Sequence, residues 1–275
     1  MEKKIRLGII GIGNMGSGHA GNVLNGKCPD FELAAVADKV IRRGRMTLSI
    51  SGNVDDALAS QLIAGIPQGE DCCQYGTCAL LDPSREGILI PAGIGFAIKG
   101  ANLAAYGKEF DGSVMVLSKI LGLEHLWNAI RVQGGAYGAN FSATTGGDML
   151  FHTYRDPNPA RSLGCFDQSA QVIRDYCARG GQLDKFILGA ISDTDPLLVA
   201  NSKVIMAEQQ YFTGTTHEDV LRVRRELLHT DSAQILALCD TLDAIAEGDN
   251  ICVVGGQAQL DGCGEKLSQI RQILS

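Results

Sequence analysis

Arg131 and Tyr137 flank a bare glycine pair in Arg131-Val132-Gln133-Gly134-Gly135-Ala136-Tyr137-Gly138. A guanidinium offers a rigid fork of donors, and a phenol can donate a hydrogen bond to negative charge. Glycines permit backbone conformations and close approaches that a side chain would block. The chemistry suggested is capture of an extended peptide or another small polar group, with Gly134 and Gly135 available for main-chain pairing. The only tryptophan, Trp127, lies just upstream. A second constellation opens the chain, where Gly11-Ile12-Gly13-Asn14-Met15-Gly16 follows an apolar run and Asp38 closes another. Glycines at this spacing let a pyrophosphate approach a helix N-terminus, and an acid at the second strand's end can accept from ribose hydroxyls.

Weaker candidates are easily placed. Asp193-Thr194-Asp195-Pro196 pairs carboxylates that suit acid–base work or a hard cation, although a helix end before proline explains them as well. Cys72, Cys73 and Cys78 stand close together, with no second pair at zinc-ribbon spacing and no histidine nearby. Cys165 and Cys177 fall in a helical stretch and read as core. Tyr154-Arg155-Asp156, followed by Pro157-Asn158, reads as an ion-paired turn, since Asp-Pro and Pro-Asn favour turns.

The elements that must position these residues follow from periodicity. Lys4–Ile10 reads as a buried strand, a helix runs to about Leu24, and Glu32–Ala37 reads as a second strand. Met46–Ser51 alternates as a strand, and Asn53 can cap a helix over Val54 to about Leu62. Pro67–Glu86 reads as a long connection. Ile88–Ile90 and Ile94–Lys99 are short strands, and Asp111–Leu126 is mainly helix. Ala136–Thr144 and Asp148–Arg155 form a hairpin turned by Gly146-Gly147. Helices are expected at about Ala160–Ala178, Gln182–Ser192, Ser202–Tyr211, His217–Leu228 and Ser232–Ala246. Asn250–Val254 is a strand, and Glu265–Ile273 closes the chain as a helix. Strands joined by both hairpins and helices argue for an α+β fold, with a largely antiparallel sheet covered by helices on one face.

The 275 residues suffice for one large domain or two small ones. A formal charge of -7 argues against a nucleic-acid binder. No apolar run reaches membrane-span length and the start is no secretory signal, so a cytoplasmic protein with no membrane partner is expected. The 9 cysteines, an odd count scattered through ordinary segments, suggest reduced thiols.

The Arg131–Gly138 motif, followed by Tyr154–Asn158, resembles the C-terminal half of presequence-protease-type zinc peptidases of the pitrilysin and insulinase superfamily. The likeness runs from about Met46 to the C-terminus, including Met46–Gly52 and Asn250–Gly255. It implies that Arg131 and Tyr137 hold a peptide and steady the developing oxyanion, opposite a zinc site carried by an N-terminal half. Zinc there is held by a His-x-x-Glu-His motif and a distal Glu. None of His19, His125, His152, His217 and His229 has the partners for that motif. The chain is therefore expected to supply the non-catalytic, substrate-contacting side, taking unstructured peptides and needing a zinc-bearing partner half. Alone, such a half exposes an apolar face and should self-associate.

Residues before Met46 fit a different family. The Gly11, Gly13, Gly16 and Asp38 unit resembles the opening of glucose–fructose oxidoreductase and inositol dehydrogenase family proteins, implying NAD(P). That likeness stops near Asp38, short of the further strands a nucleotide crevice needs. The expected organisation is chimeric: residues 1–41 an incomplete dinucleotide-binding β-α-β fragment, residues 42–45 a junction, residues 46–275 the peptidase-type domain. Two alternatives stay open: an NAD(P)-dependent oxidoreductase, and a module that binds extended peptides without cutting them.

Overall fold

A computed structural model describes residues 5–9, 27, 31–36, 56–64 and 82–273. It divides into two compact units, Met1–Ala79 with Leu198–Thr213, and Leu80–Leu197 with Gly214–Ser275. In the first unit, β1 (Ile5–Ile9) and β2 (Phe31–Val36) pair in parallel. The helices α1 (Asp56–Ala64) and α6 (Ala200–Thr213) belong to the same unit. Gly11, Gly13, Gly16, Asp38, the strand expected over Met46–Ser51 and Cys72, Cys73 and Cys78 lie outside the described residues.

The second unit is built on a six-stranded sheet of β3 (Arg85–Leu89), β4 (Phe96–Asn102), β5 (Gly138–Ala143), β6 (Asp148–Tyr154), β7 (Ile251–Gly255) and β8 (Gln269–Gln272). Their order is β5-β6-β4-β7-β3-β8. The pairings are antiparallel as far as β7, and β7–β3 and β3–β8 are parallel. The sheet is thus mixed, with its antiparallel part nearest the Arg131–Gly138 motif.

Strict alternation sorts the strands into two faces. Ala97, Phe141, Met149, Phe151, Ile251 and Val253 are buried on one face, whereas Ile98, Leu150 and Tyr154 on the other are exposed. The buried face meets α2 (Gly112–Leu121), α3 (Pro159–Asp167) and α9 (Cys239–Glu247), with α4 (Ser169–Ala178) packed on these helices, and Leu117, Ile120, Phe166, Ile173 and Leu242 complete the core. Phe151 sits at its centre, 4.6 Å from the Phe141 ring and 5.0 Å from that of Phe166. Around these lie α5 (Asp184–Asp193), α7 (His217–Leu228), α8 (Ser232–Ala237) and α10 (Gln257–Cys263).

Lys99 carries a charge into this apolar layer. Lys99 is 4% exposed, and its Nζ donates to Asp167 Oδ1 at 2.6 Å and to the Ala246 carbonyl at 2.5 Å. A buried ammonium persists only with such partners.

Besides small shifts such as β3 starting at Arg85, inside the expected Pro67–Glu86 connection, and β4 running Phe96–Asn102, four elements differ in kind from the periodicity reading. The helix expected over Glu265–Ile273 is instead a 3-10 turn at Gly264–Lys266 and strand β8. The free edge of β3 offers backbone partners that a short terminal helix would forgo: the Ser268 amide donates to the Arg85 carbonyl at 2.7 Å, and Arg271 pairs with Glu86 at 2.6 Å. The helices expected at Ala160–Ala178 and Ser232–Ala246 each bend, at Gln168 and Leu238, so that both halves keep their apolar residues on the core. The Asp111–Leu126 helix does not end at Leu126 but continues as π-helix through Val132.

Candidate functional site

The site is assembled where the π-helix (Gly122–Val132) hands the chain to β5. Asp111 starts α2 by accepting from the Ser113 amide at 2.7 Å, and Gly112 lets that helix press against the α7 backbone, where a Cβ would lie 2.4 Å from Leu227 N. After Leu121 the turns widen, with Gln133 N–H reaching the Asn128 carbonyl at 3.0 Å, five residues back. Such segments are rare and frequently lie at functional sites.

Its C-terminus needs partners for the last carbonyls. Arg161 of α3 supplies one, its Nη1 donating to the Ala129 carbonyl and its Nη2 lying 3.4 Å from Gln133 Oε1. The Gly135 and Ala136 amides cover the Arg131 and Ile130 carbonyls at 3.1 and 3.2 Å. Both glycines are required by this closure. A Cβ on Gly134 would fall 2.5 Å from the Ile130 carbonyl oxygen and 2.6 Å from Arg161 Nη1, and Gly135 has φ +80°.

The turn leaves Arg131 and Tyr137 on one corner. The Arg131 guanidinium lies 4.1 Å over the Trp127 ring and 5.6 Å from the Tyr137 ring. Tyr137 meets Tyr154 edge-on at 5.8 Å, and Tyr154 meets Phe96 at 5.6 Å. These contacts link one cation and four rings, of which Trp127, Tyr137 and Tyr154 are 49%, 64% and 51% exposed. Register explains the packing: Gly138 stands opposite Tyr154 across β5–β6, so no side chain there competes with the Tyr137 ring.

The Tyr154–Asn158 turn anchors the corner from the other side. The Tyr137 amide is 3.1 Å from the Tyr154 carbonyl and 3.4 Å from that of Arg155. Arg155 has φ +50°, a left-handed conformation uncommon outside glycine. Asp156 and Gly95 exchange both backbone hydrogen bonds at 2.7 Å, tying the turn to the start of β4. The Asp156 side chain is buried and accepts from the Asn158 amide at 2.8 Å. The expected turn forms, but among the described residues it holds no ion pair of Arg155, and its backbone positions Tyr137.

The other candidates have structural roles. Asp193 pairs with Lys119 at 2.7 Å and Asp195 with Arg224 at 3.4 Å, so the two carboxylates do not converge. Cys165 is buried and Cys177 half-buried, and burial pushes both thiols above their usual range. His125 is buried with Nε2 2.7 Å from the Cys165 carbonyl, while His229 Nδ1 contacts the Arg225 carbonyl at 2.7 Å. Among the described residues, no three His, Cys, Asp or Glu side chains come together as a metal ligand set. The zinc that the resemblance implies therefore has no seat among them.

Sequence reading placed Arg131, Tyr137, Trp127 and the glycines together, but it assigned Tyr154 to the turn alone and passed over Phe96 and Arg161. Alternation along β6 carried the signal for Tyr154, since it shares a face with Leu150 and His152, opposite Met149 and Phe151. No sequence pattern pointed to Arg161, which reaches the π-helix from a separate helix.

Fold and corner together define a two-layer α/β domain, with a mixed six-stranded sheet, that presents an arginine and a tyrosine on an aromatic ridge. The family described as the PreP C-terminal domain matches residues 85–257, more than half of the chain, and the chain belongs to that family. It is 26% identical over 246 residues to Protein HypA of Clostridium perfringens, covering 88% of this chain and 25% of that protein. It is 28% identical over 191 residues to presequence protease 1, chloroplastic/mitochondrial, of Arabidopsis thaliana, covering 69% of this chain and 18% of that one. A solved protease from Helicobacter pylori shares the fold, with TM-score 0.50 and 14% identity over 74% of this chain and 53% of that chain. The chain thus spans a quarter or less of the length of these two curated relatives. No described helix is long and apolar enough to cross a membrane.

Proposed function

We propose that this chain provides the substrate-contacting, non-catalytic side of a peptidase that acts on unstructured peptides. Arg131 and Tyr137 donate hydrogen bonds to a peptide carbonyl and to the negative charge that grows on it, and the zinc belongs to a separate partner half. Residues 46–275 form the peptidase-type part, with residues 1–41 a β-α-β opening of different origin joined through residues 42–45. The observation that carries the reading is the Arg131 guanidinium, stacked on Trp127 beside Tyr137 and, among the described residues, bonded to no carboxylate, in a chain of the PreP C-terminal domain family. Stacking holds the fork in place without consuming its donors. Gly134 and Gly135 serve the site by closing the π-helix, and they bring the main chain beside the bound peptide.

The test is anisotropy of a dye-labelled, unstructured peptide titrated with the whole chain and with Arg131→Ala. Saturable binding that weakens by about tenfold on substitution is expected, the value of one charge-assisted hydrogen bond. Equal binding by both proteins refutes the role of Arg131. The parallel β1–β2 pair favours a dinucleotide-binding opening as a second reading. Saturable NADH binding abolished by Asp38→Ala, without peptide binding, would establish that reading instead.

A further inference from the structure

The helix that carries Arg131 changes its repeat on the way to the site. Leu117 and Leu121 face the core one α-turn apart, but the next buried leucine and isoleucine are Leu126 and Ile130, with Trp127, Asn128 and Val132 left outside. Leu121 and Ile130 stand nine residues apart over two turns, a repeat of about 4.5 residues against about 3.6 in an α-helix. An α-helix continued from Leu121 would bring Asn128 onto the core and carry Ile130 to the opposite side. Between Leu121 and Arg131 the two repeats diverge by about half a turn, so the register decides from which side of the helix Arg131 leaves.

At the last turn that register hangs on one acceptor. The Gln133 amide donates to the Asn128 carbonyl, five residues back, at 3.0 Å. An α-turn would give it the Ala129 carbonyl, four residues back. Arg161 Nη1 already donates to that oxygen. Its Nη2 lies 3.4 Å from Gln133 Oε1, so the same fork reaches the residue whose amide would have to move. Gly134 leaves the guanidinium its path, since a Cβ there would lie 2.6 Å from Nη1. The fork is also launched from a fixed base. Arg161 stands in the first turn of α3, where the Asn158 cap accepts from the Arg161 amide at 3.2 Å, and Leu163 and Phe166 of that helix are buried. In this register the Arg131 guanidinium lies over Trp127 and 5.6 Å from the Tyr137 ring.

We propose that Arg161 is the positioning residue of the peptide corner: by occupying the Ala129 carbonyl it denies the Gln133 amide an α-turn, keeps the last turn wide and so aims Arg131 along Trp127 toward Tyr137. This inference rests on the reading of Arg131 as the peptide-holding arginine and adds a residue that acts through the helix backbone. Without the Arg161 fork, the Ala129 carbonyl takes the Gln133 amide, the last turn tightens, and Arg131 swings away from Tyr137.

The experiment compares the full chain with Arg131→Ala, Arg161→Met, Arg161→Lys and the double variant Arg131→Ala with Arg161→Met, each checked for folding by far-UV circular dichroism. Two signals are read. One is anisotropy of a dye-labelled, unstructured peptide. The other is the indole N–H resonance of an isotope-labelled chain, a single peak because Trp127 is the only tryptophan. Arg161→Met should weaken peptide binding by about tenfold, as Arg131→Ala does, and the double variant should bind no more weakly than Arg131→Ala alone. The indole resonance of Arg161→Met should move toward its position in Arg131→Ala, because the cation leaves the ring face. Arg161→Lys keeps a donor for the Ala129 carbonyl and should restore most of the affinity and the wild-type resonance. Should Arg161→Met not fold, Arg161→Gln is read in the same two ways. Unchanged affinity with an unmoved indole overturns the positioning role, however far the urea midpoint falls, and leaves Arg161 a purely structural residue. Losses that add in the double variant overturn it too, since the two arginines then act separately. If wild type binds no peptide, the peptide reading falls and the indole alone decides: a shift upholds the positioning of Arg131, and its absence overturns it.

Discussion

Gly134→Ala is the sharpest perturbation the site offers. The added methyl would sit 2.5 Å from the Ile130 carbonyl oxygen and 2.6 Å from Arg161 Nη1, both inside contact distance. The carbonyl belongs to the π-helix backbone and cannot step aside alone. The relief available is to push Arg161 off the Ala129 carbonyl and shift the helix end. Losing a charged hydrogen bond costs about 1.5–3 kcal/mol, and overpacking costs about 1–3 kcal/mol. Relaxation along one route avoids paying both in full, so the expected loss is about 2–3 kcal/mol. Gly135→Ala meets only Pro157 Cγ at 3.6 Å, and its penalty is the left-handed φ of +80°, about 1–2 kcal/mol. Urea unfolding followed by Trp127 fluorescence reports this unit directly. With a slope of about 2 kcal/mol per molar, Gly134→Ala should lower the midpoint by about 1–1.5 M. In an Arg161→Ala background the further cost of Gly134→Ala should shrink, because one of the two clashing atoms is gone. A Gly134→Ala midpoint indistinguishable from wild type would falsify this account of the turn. So would a cost unchanged by removal of Arg161, as far as that arginine's part is concerned.

Two further outcomes are expected. Lys99→Ala should destabilise the larger unit by about 3 kcal/mol, because Asp167 and the Ala246 carbonyl lose a buried cation; a melt showing Lys99→Met with Asp167→Leu no more stable than Lys99→Ala would count against this. His152, beside Ile98 and Asn140 on the outward sheet face, has its pKa lowered from 6.5 by burial. The unfolded chain then binds the proton more readily, so this contribution is fully present above about pH 6.5 and is lost as the pH falls toward the folded value. Urea midpoints measured down that range should drop less steeply in His152→Gln than in wild type, and equal slopes would show that burial does not govern this group.

Local rules written into the chain settled a good deal. Asp111 and Thr216 cap their helices through side-chain oxygens, and Thr216 with Asp219 forms the capping box expected of Thr216-His217-Glu218-Asp219. Period-two alternation and Gly146-Gly147 specified the β5–β6 hairpin, with Gly147 at φ +90° in its turn. Arg131, Gly134, Gly135 and Tyr137 were legible as one site because they are neighbours in sequence, so a short turn brings them together whatever the rest of the fold does. Asp193 and Asp195 were equally close in sequence, yet their cations come from other helices, and that pairing was invisible beforehand.

What only the tertiary structure decided is everything that depends on partners far along the chain. The π-helix has no signature of its own, since wider turns lose good hydrogen-bond geometry and persist here with Arg161 satisfying the Ala129 carbonyl. β8 is a strand rather than a helix because β3 has a free edge to offer. Tyr154 and Phe96 join the Tyr137 corner because strand register, not sequence distance, places their rings together. A chain encodes its caps and turns over a few residues. Pairing, burial and the sharing of charges are settled only when distant segments meet, as when Tyr154 and Phe96 reach the Arg131–Tyr137 corner.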